Sequence, residues 1–213
     1  MNTIDDKSKG IELEKGNAVT LEKQGKKLEN IYVGLNWGCI TRKSLFGLVS
    51  QKETVDLDGS VAMYDKQNRL VDIVYYHNLK SKDGAVRHSG DDRTGDVFGD
   101  DNLDNEIIQV KLSQVSPNIH QIVFFLNSYK GHDFRQIPYS KIRIFEGESP
   151  RHITEIFATF NLSAEEQFKK KVAMILGKLV RKDDNSWEFK AIGEAGNKTK
   201  IDDTLKEIAQ RFL

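Results

Sequence analysis

A seventeen-residue segment, GDDRTGDVFGDDNLDNE (90–106), holds the densest group of potential ligand atoms in this sequence. Its seven carboxylates are opposed only by Arg93, which leaves a local charge of −6 in a chain whose formal net charge is zero. The seven are Asp91, Asp92, Asp96, Asp100, Asp101, Asp104 and Glu106. Neighbouring carboxylates repel one another, and each resists ionisation beside the others. A bound divalent cation would remove that conflict.

Calcium is the cation that suits this segment best. It takes about six to eight oxygen ligands in irregular geometry, from carboxylates, carbonyls and water. Gly90, Gly95 and Gly99 allow the sharp turns that direct backbone carbonyls inward. Magnesium demands a stricter octahedron and is the second choice, and zinc is disfavoured because no cluster of Cys or His accompanies the acids. We therefore expect one or two calcium ions.

A second acidic pair occurs upstream, in VDLDGS (55–60). Asp56 and Asp58 are two residues apart, and side chains two apart in a strand point to the same face. If that face lies beneath the acidic segment, both carboxylates can complete a coordination shell. The spacing is not that of an EF-hand loop. A solvated acidic loop without an ion is the alternative.

The dominant hydrophobic period elsewhere is two, which predicts half-buried strands. Ile31, Val33, Leu35 and Trp37 alternate with polar or small residues. Further short β-rich runs cover residues 55–63, 70–76, 107–112, 121–126, 140–145 and 155–160, and residues 172–180 and 186–192 flank the turn-like KDDN as a hairpin. Such spacing is typical of a sandwich or barrel. The fold prediction is all-β: a β-sandwich of two mainly antiparallel sheets with a C-terminal helix.

Two segments have helical character. Residues 164–173, AEEQFKKKVA, are predicted to form a short helix. At the C-terminus Ile201, Leu205, Ile208 and Phe212 fall on one helical face, which we expect to cover one side or end of the sandwich. No repeat or linker divides the chain. We predict one domain over residues 11–213 after a flexible N-terminus, residues 1–10.

Composition limits the classes of function. Thirty-two basic residues balance thirty-two acidic ones, so no global field recruits nucleic acid or an acidic membrane. The single cysteine, Cys39, excludes an intramolecular disulfide, and we expect it to pack inertly. The start of the sequence, MNTIDDKSKGIELEKG, lacks a secretory pattern, and no apolar run approaches the roughly 18–20 residues that span a bilayer. A cytoplasmic protein is expected.

Several motifs together resemble the tellurium-resistance TerD domain family of bacterial stress proteins. They are LEKG (13–16), IYVGLNW (31–37), VDLDGS, YYHNLKSKDGAVRHSGDDRTG (75–95) and WEFKAIGE (187–194), and they span nearly the whole chain. The resemblance implies a calcium-binding β-sandwich without established enzymatic activity. It also implies the ligands Asp56, Asp58, Asp91, Asp92, Asp100, Asp101 and Glu106, with backbone carbonyls of Arg93, Gly95 or Gly99 in addition.

The sequence departs from the common family pattern in three places. NLDN (102–105) separates GDD from Glu106, which adds Asp104 as a candidate ligand and weakens the assignment of Glu106. RKSLFGLVSQKE (42–53) lengthens the connection before VDLDGS, and Val97 and Phe98 replace smaller or acidic residues. These features indicate a longer subtype.

The first functional hypothesis is a non-enzymatic, calcium-dependent binding or scaffold protein of a stress response. Its candidate partners are other stress-response proteins or the inner membrane surface. Direct tellurite chemistry is disfavoured, because the acidic loop repels an oxyanion and Cys39 is alone. Nucleic-acid binding is not expected, since the small basic run FKKKVA (168–173) lacks interleaved aromatics.

Two alternatives remain open. One is a metal-dependent phosphodiesterase or phosphatase, in which His88, close to the acidic segment, would be a candidate base. The other is a calcium-dependent membrane adaptor with apolar tips at Val97–Phe98 and at Leu45, Phe46, Leu48 and Val49. For these tips we expect the side chains to fold back onto the sandwich.

Overall fold

The computed structural model describes residues 18–20, 22–23, 26–27, 29–43, 50–161 and 166–213. The predicted flexible N-terminus, residues 1–10, lies outside these ranges, as do the apolar residues of the 44–49 segment.

Strands dominate the described chain. In order they are β1 (Ala18–Thr20), β2 (Glu22–Lys23), β3 (Lys26–Lys27), β4 (Asn30–Trp37), β5 (Ile40–Lys43), β6 (Ser50–Glu53), β7 (Leu57–Tyr64), β8 (Leu70–Val74), β9 (Val86–His88), β10 (Glu106–Lys111), β11 (Gln121–Ser128), β12 (Ser140–Ser149), β13 (His152–Asn161), β14 (Ala173–Arg181) and β15 (Trp187–Gly196). Short 3-10 turns cover Leu112–Gln114, Phe134–Gln136 and Glu166–Phe168, and helix α1 covers Ile201–Arg211.

The strands form two large sheets. One has six strands in the order β1-β15-β14-β11-β7-β8, and the other has five in the order β13-β12-β4-β10-β9. Neighbouring strands in both sheets run antiparallel. Two small ribbons, β2-β3 and β5-β6, stand apart. The predicted all-β sandwich of two antiparallel sheets is confirmed.

The main core lies between the two sheets and follows from the period of two. Alternate residues of β4, such as Val33 and Leu35, are buried in the same apolar cluster as Val61 of β7 and Phe124 of β11. Burial of one face of each sheet against the other removes these side chains from water, which is the main favourable term for this architecture. The core therefore fixes the ends of β9 and β10, which the acidic segment connects.

Helix α1 covers the outer face of the six-stranded sheet. Ala62 and Tyr64 of β7 and Phe125 of β11 form a second buried cluster with Ile208 of the helix. The partly buried residues Ile201, Leu205 and Phe212 pack against this cluster, so the predicted apolar face is confirmed. The predicted hairpin is confirmed as well, since β14 and β15 pair antiparallel.

One element prediction is wrong. Residues 164–173 do not form a helix in the part that the structure describes: Glu166–Phe168 is a single 3-10 turn, and β14 begins at Ala173. Phe168 is buried, whereas Lys169 and Lys170, which follow the turn, are exposed. Single apolar residues do not make the stripe that holds an amphipathic helix against a core. Among the described residues, no helix has the length and apolar character needed to cross a membrane.

Candidate metal centre

The acidic segment links β9 to β10 and is tied by its backbone to two other strands. The Asp96 amide donates to the Trp37 carbonyl at 2.9 Å, and the Val55 amide donates to the Thr94 carbonyl at 3.2 Å. The first bond fixes the loop to the end of β4, and the second fixes it beside the start of β7. These ties bring the loop carboxylates to the residues Asp56 and Asp58.

Asp56, Asp58 and Asp91 form the first carboxylate cluster. Each offers an oxygen, and these oxygens all lie within 4.8 Å of one another. Asp56 and Asp58 are each only 3 % exposed, whereas Asp91 is exposed. Asp56, which directly precedes β7, and Asp58 of β7 each bring a carboxylate oxygen close to Asp91 of the loop. Three converging oxygens of this kind fit the donor set of calcium.

The electrostatics of this cluster disfavour three bare charges. Burial, and after it the nearby carboxylates Asp56, Glu106 and Asp91, together raise the pKa of Asp58 to about 8. Burial also raises the pKa of Asp56, although the Lys130 ammonium opposes that shift. A divalent cation between the carboxylates would reverse the balance and favour their ionised forms.

Lys130 already supplies a positive charge at the edge of the first cluster. Its Nζ lies 3.8 Å from Asp56 Oδ2. The same ammonium donates to Thr54 Oγ1 and to the Arg93 carbonyl, both at 3.0 Å. The backbone carbonyl of Arg93, a predicted calcium ligand, is therefore hydrogen-bonded to a lysine in this structure.

A pocket of about 170 Å³ opens beside the first cluster. Besides the three carboxylates it is lined by Arg93 and by the aromatic side chains of Tyr76, His77 and Tyr129. Sequence reasoning did not identify these rings as part of a site. The available signal was the YYHN run that starts at Tyr75, but Tyr129 directly follows β11 and belongs to no local motif.

Asp96, Asp100 and Asp101 form a second carboxylate cluster, with one oxygen from each within 4.8 Å of the others. Asp96 was not among the predicted ligands. Its carboxylate accepts hydrogen bonds from the Tyr139 hydroxyl at 2.7 Å and from the Asn105 amide at 3.0 Å. This cluster is more exposed than the first, and some of its carboxylate oxygens already accept hydrogen bonds from the protein.

Asn36 of β4 supports the second cluster from below. Its Nδ2 donates to Asp100 Oδ1 at 3.0 Å and to the Leu103 carbonyl at 2.7 Å. Asp100 is exposed, and although some desolvation opposes its charge, hydrogen bonds from Asn102 and Asn36 and the charge of Lys141 hold its pKa below the usual range. Asp100 is therefore ionised without needing a cation.

Asp92 has a structural position in the loop. Its Oδ1 accepts from the Thr94 amide and hydroxyl, both at 2.8 Å, and from the Gly95 amide at 3.0 Å. Burial opposes its charge, but these hydrogen bonds lower its pKa. Asp92 belongs to neither cluster of converging oxygens, and Oδ1 is fully used in closing a turn.

Glu106 is completely buried at the start of β10. Its Oε2 accepts from the Gly59 amide at 2.9 Å, and its Oε1 accepts from the Asp92 amide at 3.2 Å. Burial raises its pKa, while His88 and the two amides oppose that rise. In this arrangement the carboxylate joins β7, β10 and the acidic loop.

Asp104 belongs to the NLDN insertion and lies apart from both clusters. Its nearly buried carboxylate pairs with Arg143 Nη2 at 2.7 Å. It sits directly over Gly34 of β4, where an added Cβ would come within 2.2 Å of Asp104 Oδ2. Burial raises the pKa of Asp104, and Arg143 opposes this shift.

Gly99, predicted to offer its carbonyl, is exposed with φ +112°.

The apolar tip of the loop departs from expectation. Phe98 is fully exposed, so the prediction that its side chain folds back onto the sandwich is wrong. Val97 is half-buried, and its carbonyl lies 3.7 Å from the buried Cys39 Sγ. Leu103, also exposed, lines the same wide depression as Phe98. The other predicted tips, Leu45, Phe46, Leu48 and Val49, lie outside the described residues.

The sequence matches the model of the TerD domain over residues 10–212. It is 29 % identical to the tellurium resistance protein TerZ of Serratia marcescens, over 95 % of this chain and 99 % of that protein. It is 31 % identical to the stress response protein SCP2 of Bacillus subtilis strain 168, over 92 % of this chain and 97 % of that protein.

Solved structures give the same fold. A homologue of telluride resistance protein (TerD), SCO6318 from Streptomyces coelicolor A3(2), superimposes with a TM-score of 0.64 at 19 % identity. The match covers 85 % of this chain and 95 % of that one. At this level of identity the likeness concerns the architecture of the chain.

Proposed function

The chain belongs to the TerD domain family, and from this premise we propose that it is a non-enzymatic calcium-binding protein of a stress response. Calcium would order the acidic loop so that its surface binds or organises a partner, such as another stress-response protein. The relatives reported above are named for tellurium resistance and for stress response, and neither name denotes an enzyme.

The observation that carries the proposal is the convergence of Asp56, Asp58 and Asp91. Two of the three carboxylates are buried, and burial beside like charges raises the pKa of Asp58 to about 8. Such a carboxyl group stays protonated near neutrality unless a cation takes the place of its proton. Calcium is a suitable cation, because it binds carboxylate oxygens. The second cluster, Asp96, Asp100 and Asp101, would accommodate a second and weaker ion.

Calorimetric titration of the metal-free protein with calcium tests the proposal. We expect one tight site, with a second weaker one, and a melting temperature clearly higher in calcium than in chelator, since the ion binds the folded loop and not the unfolded chain. Asp56→Asn should remove the tight site, whereas Asp101→Asn should affect only the weak one.

Asp183→Asn is the matched control, because Asp183 is an exposed carboxylate in the β14–β15 turn, far along the chain from both clusters. This variant should bind calcium as the wild type does. Flat calorimetry together with an unchanged melting temperature would contradict the calcium assignment. Loss of binding in Asp183→Asn would show that the effect of Asp56→Asn is not specific to the cluster.

A second candidate function, a calcium-dependent adaptor at an anionic membrane surface, is favoured by one observation. Phe98 is fully exposed, and it lines the same depression as Asp96 and Asp101 of the second cluster. Peripheral membrane proteins bind by two interactions, the insertion of apolar side chains and the pairing of charges with headgroups. An exposed aromatic side chain beside bound cations would provide both. This hypothesis needs calcium at the second cluster.

The metal-dependent phosphodiesterase has less support. Its candidate base, His88, is buried, and both of its ring nitrogens have hydrogen-bond partners, Gly59 and Gly90. A general base must reach the proton that it removes. We therefore propose a binding function.

A further inference from the structure

The pocket beside the first cluster combines a candidate ion site, a guanidinium and exposed aromatic rings. We propose that, once calcium is bound, this pocket takes a phosphate monoester that carries an aromatic ring, the chemistry of a nucleoside monophosphate. The inference rests on the proposed calcium function and names the class of ligand for that site.

An anion would be attracted by two groups of the pocket, the bound ion and the Arg93 guanidinium. Without an ion, the three carboxylates Asp56, Asp58 and Asp91 outnumber Arg93, the one cation among the described residues that line the pocket. One calcium ion offsets this excess and brings the net charge of the lining from −2 to zero. Arg93 lines the pocket, and its guanidinium is near enough to Asp56 to oppose the rise of the pKa of that carboxyl. A guanidinium presents a planar fork of donors that matches phosphate oxygens.

The carboxylates leave coordination positions open. Calcium takes about six to eight oxygens, and three carboxylates do not fill that shell. Asn127 lies directly across from Asp58 in the β7–β11 pair, so the two side chains share a face. Asn127 is 2 % exposed, and its Oδ1 is buried without a hydrogen-bond partner in the described structure. An unsatisfied acceptor at this place points to a missing cation or donor.

The aromatic rim supplies a stacking surface. Tyr76 meets Tyr129 edge-on at a centroid distance of 5.8 Å and meets His77 at 4.4 Å. These contacts hold Tyr129 in place although it remains 61 % exposed. Stacking on an exposed ring of this kind is worth about 1–3 kcal/mol per base in nucleic-acid complexes, and it requires no particular base.

The size of the pocket decides how such a ligand would lie. Its volume of about 170 Å³ compares with about 30 Å³ for each water molecule in the liquid. This space holds an ion and a phosphate group beside the carboxylates, and Tyr129 forms part of its exposed rim. The phosphate therefore enters toward Arg93 and the carboxylates, and the ring remains outside against Tyr129.

Calorimetry on the calcium-loaded protein tests the two halves of the ligand separately. The probes are AMP, ribose 5-phosphate, which lacks the ring, and adenosine, which lacks the phosphate. We expect AMP to bind at least roughly tenfold more tightly than either half, because it gains both phosphate contacts and stacking. Chelation of calcium should abolish AMP binding.

Variants separate the contacts. Tyr129→Ala should weaken the binding of AMP roughly tenfold and leave the binding of ribose 5-phosphate unchanged. Tyr129→Phe should keep the wild-type affinity for AMP because it keeps the ring. Arg93→Gln should weaken the binding of both AMP and ribose 5-phosphate. Leu70→Ala, a change of an exposed apolar side chain at the start of β8 and outside the pocket, is the matched control and should have no effect.

The outcomes distinguish this inference from its premise. Normal calcium binding without AMP binding, or AMP binding that Tyr129→Ala does not weaken, would overturn the inference and leave the calcium function standing. Tighter AMP binding in chelator than in calcium would overturn it as well. Absence of calcium binding would overturn both.

Discussion

The Nε2 atom of His88 lies 3.3 Å from Oε2 of Glu106, and neither side chain is exposed to solvent. His88 Nδ1 accepts a hydrogen bond from the Gly90 amide at 3.1 Å, so the ring proton sits on Nε2 and faces Glu106 and the Gly59 carbonyl. Glu106 in turn accepts from the amides of Gly59 and Asp92. One buried pair therefore connects β7, β9, β10 and the acidic loop.

Glu106→Ala should destabilise the protein by about 3–5 kcal/mol. The change leaves the Gly59 amide, the Asp92 amide and the His88 ring without their acceptor, and each unsatisfied buried donor costs about 1–3 kcal/mol. Urea denaturation in chelator measures the loss. Glu148→Ala, at an exposed position of β12, should change stability by less than about 0.5 kcal/mol. Equal effects of the two changes would refute the connecting role of Glu106.

The metal-free protein should lose stability as the pH rises toward 8 and beyond. The pKa of Asp58 is about 8 in the folded state and about 4 in the unfolded chain, so the folded state holds the proton more tightly. That contribution is fully present below about pH 4 and disappears as the pH passes through 8.

Comparison with Asp58→Asn isolates this effect. The amide does not titrate, so the variant should become more stable than the wild type in chelator as the pH rises from 6 to 9, by denaturant unfolding. Saturating calcium should remove the advantage, because the ion stabilises only the wild-type carboxylate. A stability difference that stays constant over this pH range would contradict the shifted pKa of Asp58.

Lys130→Gln should increase calcium affinity at the first cluster. The ammonium lies 3.8 Å from Asp56 and would be repelled by an incoming ion. For two charges about 4 Å apart at a partly exposed site, the interaction is roughly 1 kcal/mol in a high dielectric, which is about fivefold in affinity. Calorimetry measures the change. Lys66→Gln, at an exposed turn outside the pocket, should leave the affinity unchanged, and the same result for Lys130→Gln would exclude competition.

Asp104→Asn should leave the number of bound calcium ions unchanged, because its carboxylate pairs with Arg143 and lies outside both clusters. Arg143→Gln should cost about 3 kcal/mol, since it leaves a buried carboxylate without its partner. Calorimetric stoichiometry and urea denaturation measure the two effects. If Asp104→Asn bound one calcium ion fewer than the wild type, Asp104 would be a calcium ligand and this prediction would be wrong.

Phe98→Ser should weaken calcium-dependent sedimentation with phosphatidylserine vesicles if the exposed tip inserts into the membrane. Burial of a large apolar side chain is worth about 1.5–3 kcal/mol, so the loss should be at least tenfold. Leu70→Ser, at an exposed position at the start of β8, should have little effect. Wild-type sedimentation that does not depend on calcium, or that is absent, would contradict the adaptor hypothesis.

Much of the fold followed from local patterns. Alternation of Val33 and Leu35 with polar neighbours predicted a strand, although β4 is buried on both faces and not half-buried. The stripe of Ile201, Leu205 and Ile208 predicted a helix that covers a sheet. Residues 164–173 misled because good helix formers there lack an apolar stripe, and the described part forms a 3-10 turn in which Phe168 is the buried residue.

The sequence by itself determined that carboxylates concentrate in residues 90–106 and that Asp56 and Asp58 share a face, because charge and the period of a strand are local properties. Only the tertiary structure decided what each carboxylate does. Aspartates are alike in sequence, and their roles depend on neighbours that the fold brings from distant strands. Arg143 engages Asp104, buried amides engage Glu106, and the fold leaves Asp58 beside Asp91 with like charge and little water.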